Sequence, residues 1–144
     1  MYLDSCVILK LVTYEPDSEA YNAIVTGEAV VTSELAVAEI RSALFAKERA
    51  GRITREARMA SWRAFQDRIR EQEIVLLPLN RQVIERAGAV IEQCAPVIPL
   101  RTLDAIHVAT AELHGGEAMC SSDERVCEAS DYIGLAAVPR PPTK

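Results

Sequence analysis

Short apolar, β-rich runs alternate with segments of helical period along almost the whole chain. The runs lie at 2–3, 29–32, 74–77, 118–121 and 136–138. Between them, apolar residues recur at helical spacing over 6–12, 18–26, 34–50, 54–72, 81–94, 103–114 and 123–130. Strands that alternate with helices pair in parallel and need helices on both faces of the sheet. The pattern therefore predicts an α/β fold with three layers, in which helices cover both faces of a parallel sheet.

The size of the chain favours a single domain. Its 144 residues are 49% hydrophobic and 26% charged, which is ordinary for a globular protein and excludes disordered, collagen-like and coiled-coil classes. We place one domain at residues 1–138. The Pro-rich sequence at 139–144 is interpreted as a short C-terminal tail.

The sequence carries no signal for secretion or membrane insertion. No basic region precedes an apolar segment at the start, and no apolar run approaches the roughly 18 residues that span a bilayer. The four cysteines form neither a CxxC pair nor a zinc-binding spacing: Cys6, Cys94, Cys120 and Cys127. We therefore expect a cytoplasmic protein with reduced and mostly buried thiols.

The net charge of −5 does not indicate a nucleic-acid-binding protein. One stretch, residues 47–73, is nevertheless basic, with eight basic and five acidic side chains. We interpret it as two amphipathic helices that meet at Gly51 and expose solvated faces, and an RNA-binding patch stays an alternative. Trp62 and Phe65 within it are predicted to be core or subunit-interface residues.

Two aspartates follow strands of the predicted sheet. Asp4 comes directly after the first run, and Asp123 comes shortly after the fourth run. The carboxyl ends of parallel strands border the ligand crevice of an α/β sheet. Aspartate before a helix is also a common N-cap, so capping stays an alternative to a site role for both residues.

Two further acids lie on helix faces that are otherwise apolar. Asp104 belongs to the run LDAIHVATA, and Thr102 before it is predicted to be the N-cap. A buried carboxylate costs several kcal/mol unless it is paired. The helical neighbours of Glu39 are small or apolar and leave room for a ligand: Leu35, Ala36, Ser42 and Ala43.

These four carboxylates share one edge of the sheet if the first and fourth strands are neighbours. Two unit charges about 4 Å apart repel by roughly 4 kcal/mol at an effective dielectric constant near 20, so raised pKa values or bound cations are needed. Oxygen ligands without histidine or thiolate favour Mg²⁺ or Mn²⁺ over Zn²⁺. Such a site suits phosphodiester hydrolysis, because the ion activates a water and offsets charge on the phosphate.

Four segments in series resemble the PIN-domain family. They are YLDSCVILKL, VTSELAVAEIRSAL, LRTLDAIHVATA and CSSDERV, and the resemblance covers about residues 2–138. Within this family the chain is similar to the VapC-type toxins of bacterial toxin–antitoxin pairs. The resemblance implies a five-stranded parallel sheet of order 3-2-1-4-5, in which strands one and four are neighbours.

The resemblance also implies a metal-dependent endoribonuclease that holds one or two Mg²⁺ or Mn²⁺ ions. The residues that match the family's acidic quartet, as catalytic residues and metal ligands, are Asp4, Glu39, Asp104 and Asp123. Three hydroxyl residues match the family's pattern as residues that contact the substrate or support the acids: Ser5 after Asp4, Ser33 before the helix of Glu39, and Ser121 two positions before Asp123. Cys6 departs from the family, which more commonly has Ser or Gly there, and this leaves sensitivity to oxidation open.

Partners follow from the same resemblance. It implies an RNA substrate, inhibition of translation, and a small antitoxin protein whose segment, often with an arginine, blocks the acidic pocket. A homodimer is implied, with a heterotetramer or larger assembly in the presence of the antitoxin. A PIN-like RNA-processing nuclease outside a toxin pair is the alternative.

Two other functions, a phosphatase and a non-catalytic binding module, fit these residues less well. A phosphatase with Asp4 as the nucleophile usually has a second aspartate two positions on, where this chain has Cys6. A non-catalytic, metal-free binding module has no reason to keep four repelling acids. His107, three residues after Asp104, is interpreted as a satisfied core histidine, and orienting that carboxylate or acting as a base is its alternative role.

Overall fold

A computed structural model describes residues 1–139, which form five strands and seven helices. The strands are β1 (Tyr2–Leu3), β2 (Val30–Ser33), β3 (Ile74–Leu77), β4 (Ala118–Cys120) and β5 (Ala136–Val138). The helices are α1 (Ser5–Val12), α2 (Ser18–Val25), α3 (Leu35–Arg49), α4 (Arg55–Arg70), α5 (Arg81–Cys94), α6 (Thr102–His114) and α7 (Glu124–Tyr132). The alternation of strands and helices that the sequence predicts is confirmed.

All five strands pair in parallel, in the order β3-β2-β1-β4-β5. Strand β1 lies at the centre, where Tyr2 is in register with Val31 of β2 and Met119 of β4. The backbone N–H of Asp4 continues this pairing and donates to the carbonyl of Cys120 at 2.9 Å. The carboxyl ends of β1 and β4 are therefore adjacent, as the resemblance implies.

Two apolar clusters, one on each face of the sheet, form the core. Successive side chains of a strand point to opposite faces, so Tyr2 belongs to one cluster and Leu3 to the other. Helices α5, α6 and α7 contribute to the cluster around Tyr2, and α1, α2, α3 and α4 contribute to the cluster around Leu3. The three-layer α/β/α architecture is thus confirmed.

The basic stretch at 47–73 forms the helical hairpin that the sequence predicts. Helix α3 ends before Gly51, whose φ of 71° is the left-handed conformation that favours glycine, and α4 follows. Phe65 is fully buried, and Trp62 packs against it with ring centroids 5.6 Å apart. The guanidinium of Arg41 lies 4.4 Å from the centroid of the Trp62 ring. The assignment of both aromatic residues to packing positions is confirmed.

The start of α6 differs from the prediction. Thr102 is the first residue of α6 and not its N-cap, because the helix begins one residue earlier than predicted and Arg101 precedes it. The predicted tail at 139–144 lies outside the described residues apart from Pro139.

Within residues 1–139, no helix is both long enough and apolar enough to cross a membrane.

Candidate active site

Asp4 lies in the centre of the carboxyl edge of the sheet, between β1 and α1. Its backbone is extended, and Oδ1 accepts a hydrogen bond from the Ser5 N–H at 2.7 Å, so Asp4 caps α1. Its other oxygen, Oδ2, accepts from the Ser121 hydroxyl at 2.7 Å. The residue is only 6% exposed. We call the four carboxylates Asp4, Glu39, Asp104 and Asp123 the acidic cluster. Asp4 both caps α1 and belongs to this cluster, so the two roles are not alternatives.

Asp123 caps α7 at the end of the neighbouring strand. Its Oδ1 accepts from the backbone N–H groups of Arg125 and Val126 at 2.8 and 3.4 Å. The Ser121 hydroxyl that donates to Asp4 also accepts from the Asp123 N–H at 3.0 Å. Asp123 is exposed, unlike Asp4. One serine thus links the two strand-end aspartates.

Glu39 reaches the same edge from α3. Its Oε1 accepts from the Ser5 hydroxyl at 2.6 Å and lies within hydrogen-bond distance of His107 Nε2. Burial opposes ionisation of Glu39, but the hydrogen bond and charge of His107 and the bond from Ser5 outweigh it and lower the pKa of the carboxyl. Glu39 is therefore held in its anionic form.

Asp104 differs from the other three acids in its contacts, since only the more distant charges of His107 and Arg101 favour its ionised form. It lies half-buried in the first turn of α6, and within residues 1–139 it has neither a hydrogen bond nor an ion pair. Burial, followed by the negative charges of Asp4 and Asp123, raises the pKa of its carboxyl. The structure therefore brings Asp104 into the electrostatic field of both strand-end aspartates.

The three serines that match the family pattern have different contacts. Ser5 connects Asp4 with Glu39, and Ser121 connects Asp4 with Asp123. Ser33 contacts none of the four acids through a hydrogen bond within the described residues; its hydroxyl accepts from the Leu35 N–H at 3.1 Å. Ser33 therefore supports the start of α3, while the other two serines bind the acids directly.

His107 has a contact that the sequence did not indicate. The residue is fully buried and has a partner on each ring nitrogen, as expected for a hydrogen-bonded core histidine. One partner is Glu39, 68 positions away along the chain, and Nε2 also lies 3.8 Å from Asp4 Oδ1. Helical spacing had suggested only Asp104 as a neighbouring acid, because periodicity carries no information about a different helix.

Cys6 is half-buried beside the cluster. Its sulfur lies 3.4 Å from Asp4 Oδ2 and 3.6 Å from the Ser121 hydroxyl. Burial and the charge of Asp4 raise the pKa of this thiol to about 11. Cys6 is therefore a protonated thiol at neutral pH.

All four cysteines are free, and the other three are buried as predicted.

A groove of about 440 Å³ opens beside Glu39. Small residues of α3 leave this space, and Leu103 of α6 also lines it. The room for a ligand that the sequence predicts next to Glu39 is therefore present. The lining residues are Leu35, Ala38, Glu39, Ser42, Ala43, Ala46 and Leu103.

Comparison with known proteins identifies the type of domain. The family model described as PIN domain matches residues 1–132, a range that includes all four acids. The chain belongs to the PIN-domain family. It is also 35% identical over 141 residues to Ribonuclease VapC46 of Mycobacterium tuberculosis (strain ATCC 25618 / H37Rv), with 96% of this chain and 95% of the relative covered. The resemblance to VapC-type PIN domains is thus confirmed.

In this PIN domain Ser5 links Asp4 with Glu39, Ser121 links Asp4 with Asp123, and Asp104 lies in the field of the two strand-end aspartates. The oxygens of the four acids are nevertheless not drawn together around one point. Within residues 1–139 there is no group of three or more histidine, cysteine, aspartate or glutamate side chains that could hold a metal ion as they stand.

Proposed function

We propose that this PIN domain is a Mg²⁺- or Mn²⁺-dependent endoribonuclease and that its acidic cluster is the active site. The observation that carries the proposal is Asp104, a half-buried carboxylate without a partner among the described residues, in the field of Asp4 and Asp123. The ribonuclease name of the relative supports RNA as the substrate. Acids whose pKa is shifted by burial and by neighbouring charges cluster at functional sites, which supports a catalytic or cation-binding role for Asp104.

The chemistry of the donors fits a hard divalent cation. The proposed ligands offer only carboxylate oxygens, which Mg²⁺ and Mn²⁺ prefer: Asp4, Glu39, Asp104 and Asp123. When bound, such an ion lowers the pKa of a water molecule and offsets negative charge that develops on the phosphate. Burial, followed by the charges of Asp4 and Asp123, raises the pKa of Asp104, and one or two bound ions would offset the part that comes from these charges.

The residues of the chain then have distinct roles. Ser5 and Ser121 hold the Asp4 carboxylate through both of its oxygens, which fixes its plane. Glu39 accepts two hydrogen bonds on Oε1, so Oε2 is available to a cation or to the proton of an attacking water. The groove beside Glu39 provides space for nucleotides next to these groups.

We further propose that the chain is the toxin of a type II toxin–antitoxin pair and inhibits translation by cutting RNA. Similarity to a VapC protein over 96% of the chain supports this assignment. The proposed partners are a small antitoxin, which places an arginine in the acidic pocket, and a second copy of the chain in a cytoplasmic dimer or larger assembly. A PIN nuclease of RNA processing outside a toxin pair is the second candidate.

Cleavage of RNA by the purified protein tests the enzymatic proposal. We expect Mg²⁺ or Mn²⁺ to support cleavage and EDTA to abolish it. Asp4→Asn, Glu39→Gln and Asp104→Asn should each reduce it at least as strongly as the roughly 10–100-fold that the loss of a residue supporting a metal ligand costs. Glu85→Gln is the matched control, since Glu85 is an exposed acid of α5 that pairs with Arg81. Full activity of an active-site variant refutes the role of that residue.

Two further measurements separate the alternatives. Calorimetry that detects no binding of Mg²⁺ or Mn²⁺ would favour a metal-free binding module. Mapping of cleavage ends on total cellular RNA after induced expression separates a toxin from a processing nuclease. We expect a few cuts in RNAs of the translation machinery, and suppression of these cuts by the antitoxin from the adjacent gene.

A further inference from the structure

His107 connects the interior of the sheet with the acidic cluster. The residue is fully buried on α6, and its Nδ1 lies 2.6 Å from the hydroxyl of Tyr2 in the central strand. On the other side of the ring, Nε2 faces Glu39 Oε1 and lies 3.2 Å from the Ser5 hydroxyl. A buried side chain of β1 is thereby joined to a carboxylate of α3 through a single imidazole.

The hydrogen bonds around Tyr2 indicate which ring nitrogen carries a proton. The Ser33 N–H donates to the Tyr2 oxygen at 3.1 Å, and burial with the nearby Asp4 charge raises the pKa of the phenol, which keeps its proton. When His107 is neutral and its Nε2–H faces the Glu39 carboxylate, Nδ1 accepts from the Tyr2 hydroxyl. The neutral ring thus carries its proton on Nε2; a positively charged ring carries one on each nitrogen, and its Nδ1–H donates to the Tyr2 oxygen, so Nε2 is a donor in both states.

The donor at Nε2 restricts the Glu39 carboxylate. Two bare acceptors at such a short separation would repel each other, whereas an N–H that faces an anionic oxygen forms a charge-assisted hydrogen bond. His107 and Ser5 both donate to Oε1, and within residues 1–139 no hydrogen bond reaches Oε2. The carboxylate is thus held by one oxygen, and the other remains free.

We propose that His107 is a positioning residue that holds Glu39 in the orientation required for cation binding, and that Tyr2 fixes the ring for this task. This inference rests on the proposed metal-dependent function. Buried partners that orient a metal ligand in this way contribute about 10–100-fold to metal affinity or activity. The aligned imidazole also explains why a fully buried histidine is placed beside three carboxylates.

Two variants of His107 separate donation of a proton from simple filling of space. His107→Gln retains an N–H donor near the position of Nε2, and His107→Leu has none. Ser130→Ala is the matched control, because Ser130 is a fully buried hydroxyl residue whose bond to the Val126 carbonyl lies on α7, away from Glu39. Thermal unfolding first identifies which variants are folded.

The principal measurement is the Mn²⁺ dissociation constant of the protein without RNA, determined by calorimetry. We expect His107→Leu to weaken Mn²⁺ binding by about 10–100-fold, His107→Gln to recover most of this loss, and Ser130→Ala to leave it unchanged. In cleavage assays kcat should fall in the same order, with KM for RNA within about threefold. A folded His107→Leu with wild-type affinity, or equal losses in both variants, overturns the proposal.

Nitrogen-15 NMR of the wild-type imidazoles tests the hydrogen bond independently of any variant. The chain has two histidines, and His114 is exposed, so its ring protons exchange rapidly with water. We expect a protected ring N–H for His107 Nε2 and none for His114. Absence of that signal overturns the positioning role. A protein that binds Mn²⁺ as expected but does not cut RNA contradicts the proposed nuclease function alone.

Discussion

Replacement of Tyr2 by phenylalanine tests the buried hydrogen bonds at the centre of the fold. Tyr2 is fully buried in β1, and its hydroxyl has two partners, the Ser33 N–H and His107 Nδ1. Tyr2→Phe keeps the ring in its apolar surroundings and removes only the oxygen. Both partners then remain buried without a bond, because no water replaces a hydroxyl at a fully enclosed position.

The expected cost follows from these two lost bonds. A buried polar group without a partner costs about 1–3 kcal/mol, so two of them destabilise the protein by roughly 2–4 kcal/mol after partial relaxation. For a domain of about this size, 1 kcal/mol corresponds to a change in Tm of about 2–4 °C. We therefore expect Tm to fall by roughly 6–12 °C for a loss near 3 kcal/mol.

Thermal and urea unfolding at neutral pH measure this loss. Tyr132→Phe is the matched control, because Tyr132 is 48% exposed and its substitution is expected to change stability by less than about 0.5 kcal/mol. A Tyr2→Phe protein that loses less than about 1 kcal/mol would refute the assignment of two satisfied, water-free hydrogen bonds to this hydroxyl.

Two further predictions concern groups with shifted pKa values. Burial and the charges of Asp4 and Asp123 raise the pKa of Asp104 in the folded state, so its ionised form disfavours folding. Asp104→Asn should therefore raise Tm by a few degrees at pH 7 without added metal. This gain should vanish at pH values below 3.8, the ordinary pKa of an aspartate, where the acid is protonated in both the folded and the unfolded state. A lower Tm of the variant at pH 7 would contradict the argument. The pKa of Cys6 is raised to about 11 from the ordinary 9.0, so its thiolate is scarce at pH 8. Iodoacetamide at pH 8 should therefore alkylate Cys6 about a hundredfold more slowly than a free cysteine, and mass spectrometry of the modified peptide measures this rate. Labelling of Cys6 at the rate of free cysteine would show that its thiol is not held beside Asp4.

The elements of the fold were predictable because each follows from local pattern. Periods of two and of 3.6 residues separate strands from helices, and Gly51 with its positive φ marks where α3 ends. The boundaries differ from the predicted ones by at most two residues, as with Thr102, since the first turn of a helix depends on contacts that periodicity does not encode.

The sequence was enough to recognise the acids, because each conflicts with its local surroundings. It was not enough to predict which residues they contact. Glu39 and Asp104 stand on apolar helix faces, which a packed core alone does not favour. The sequence does not indicate that Ser121 joins Asp4 to Asp123 or that Ser33 joins none of the acids. Such contacts link residues far apart along the chain, and they depend on how the sheet and its helices pack.

Short-range physics therefore determined the secondary structure, the layered class and the identity of the unusual acids, since propensity and burial act within a few residues. Only the tertiary structure decided that α3 and α6 approach each other closely enough for His107 to bind Glu39. It also decided that Asp104, of the four acids, has no hydrogen bond or ion pair among residues 1–139. Hydrogen bonds and charge repulsion depend on distances of a few ångströms, and those distances exist only once separate elements have packed.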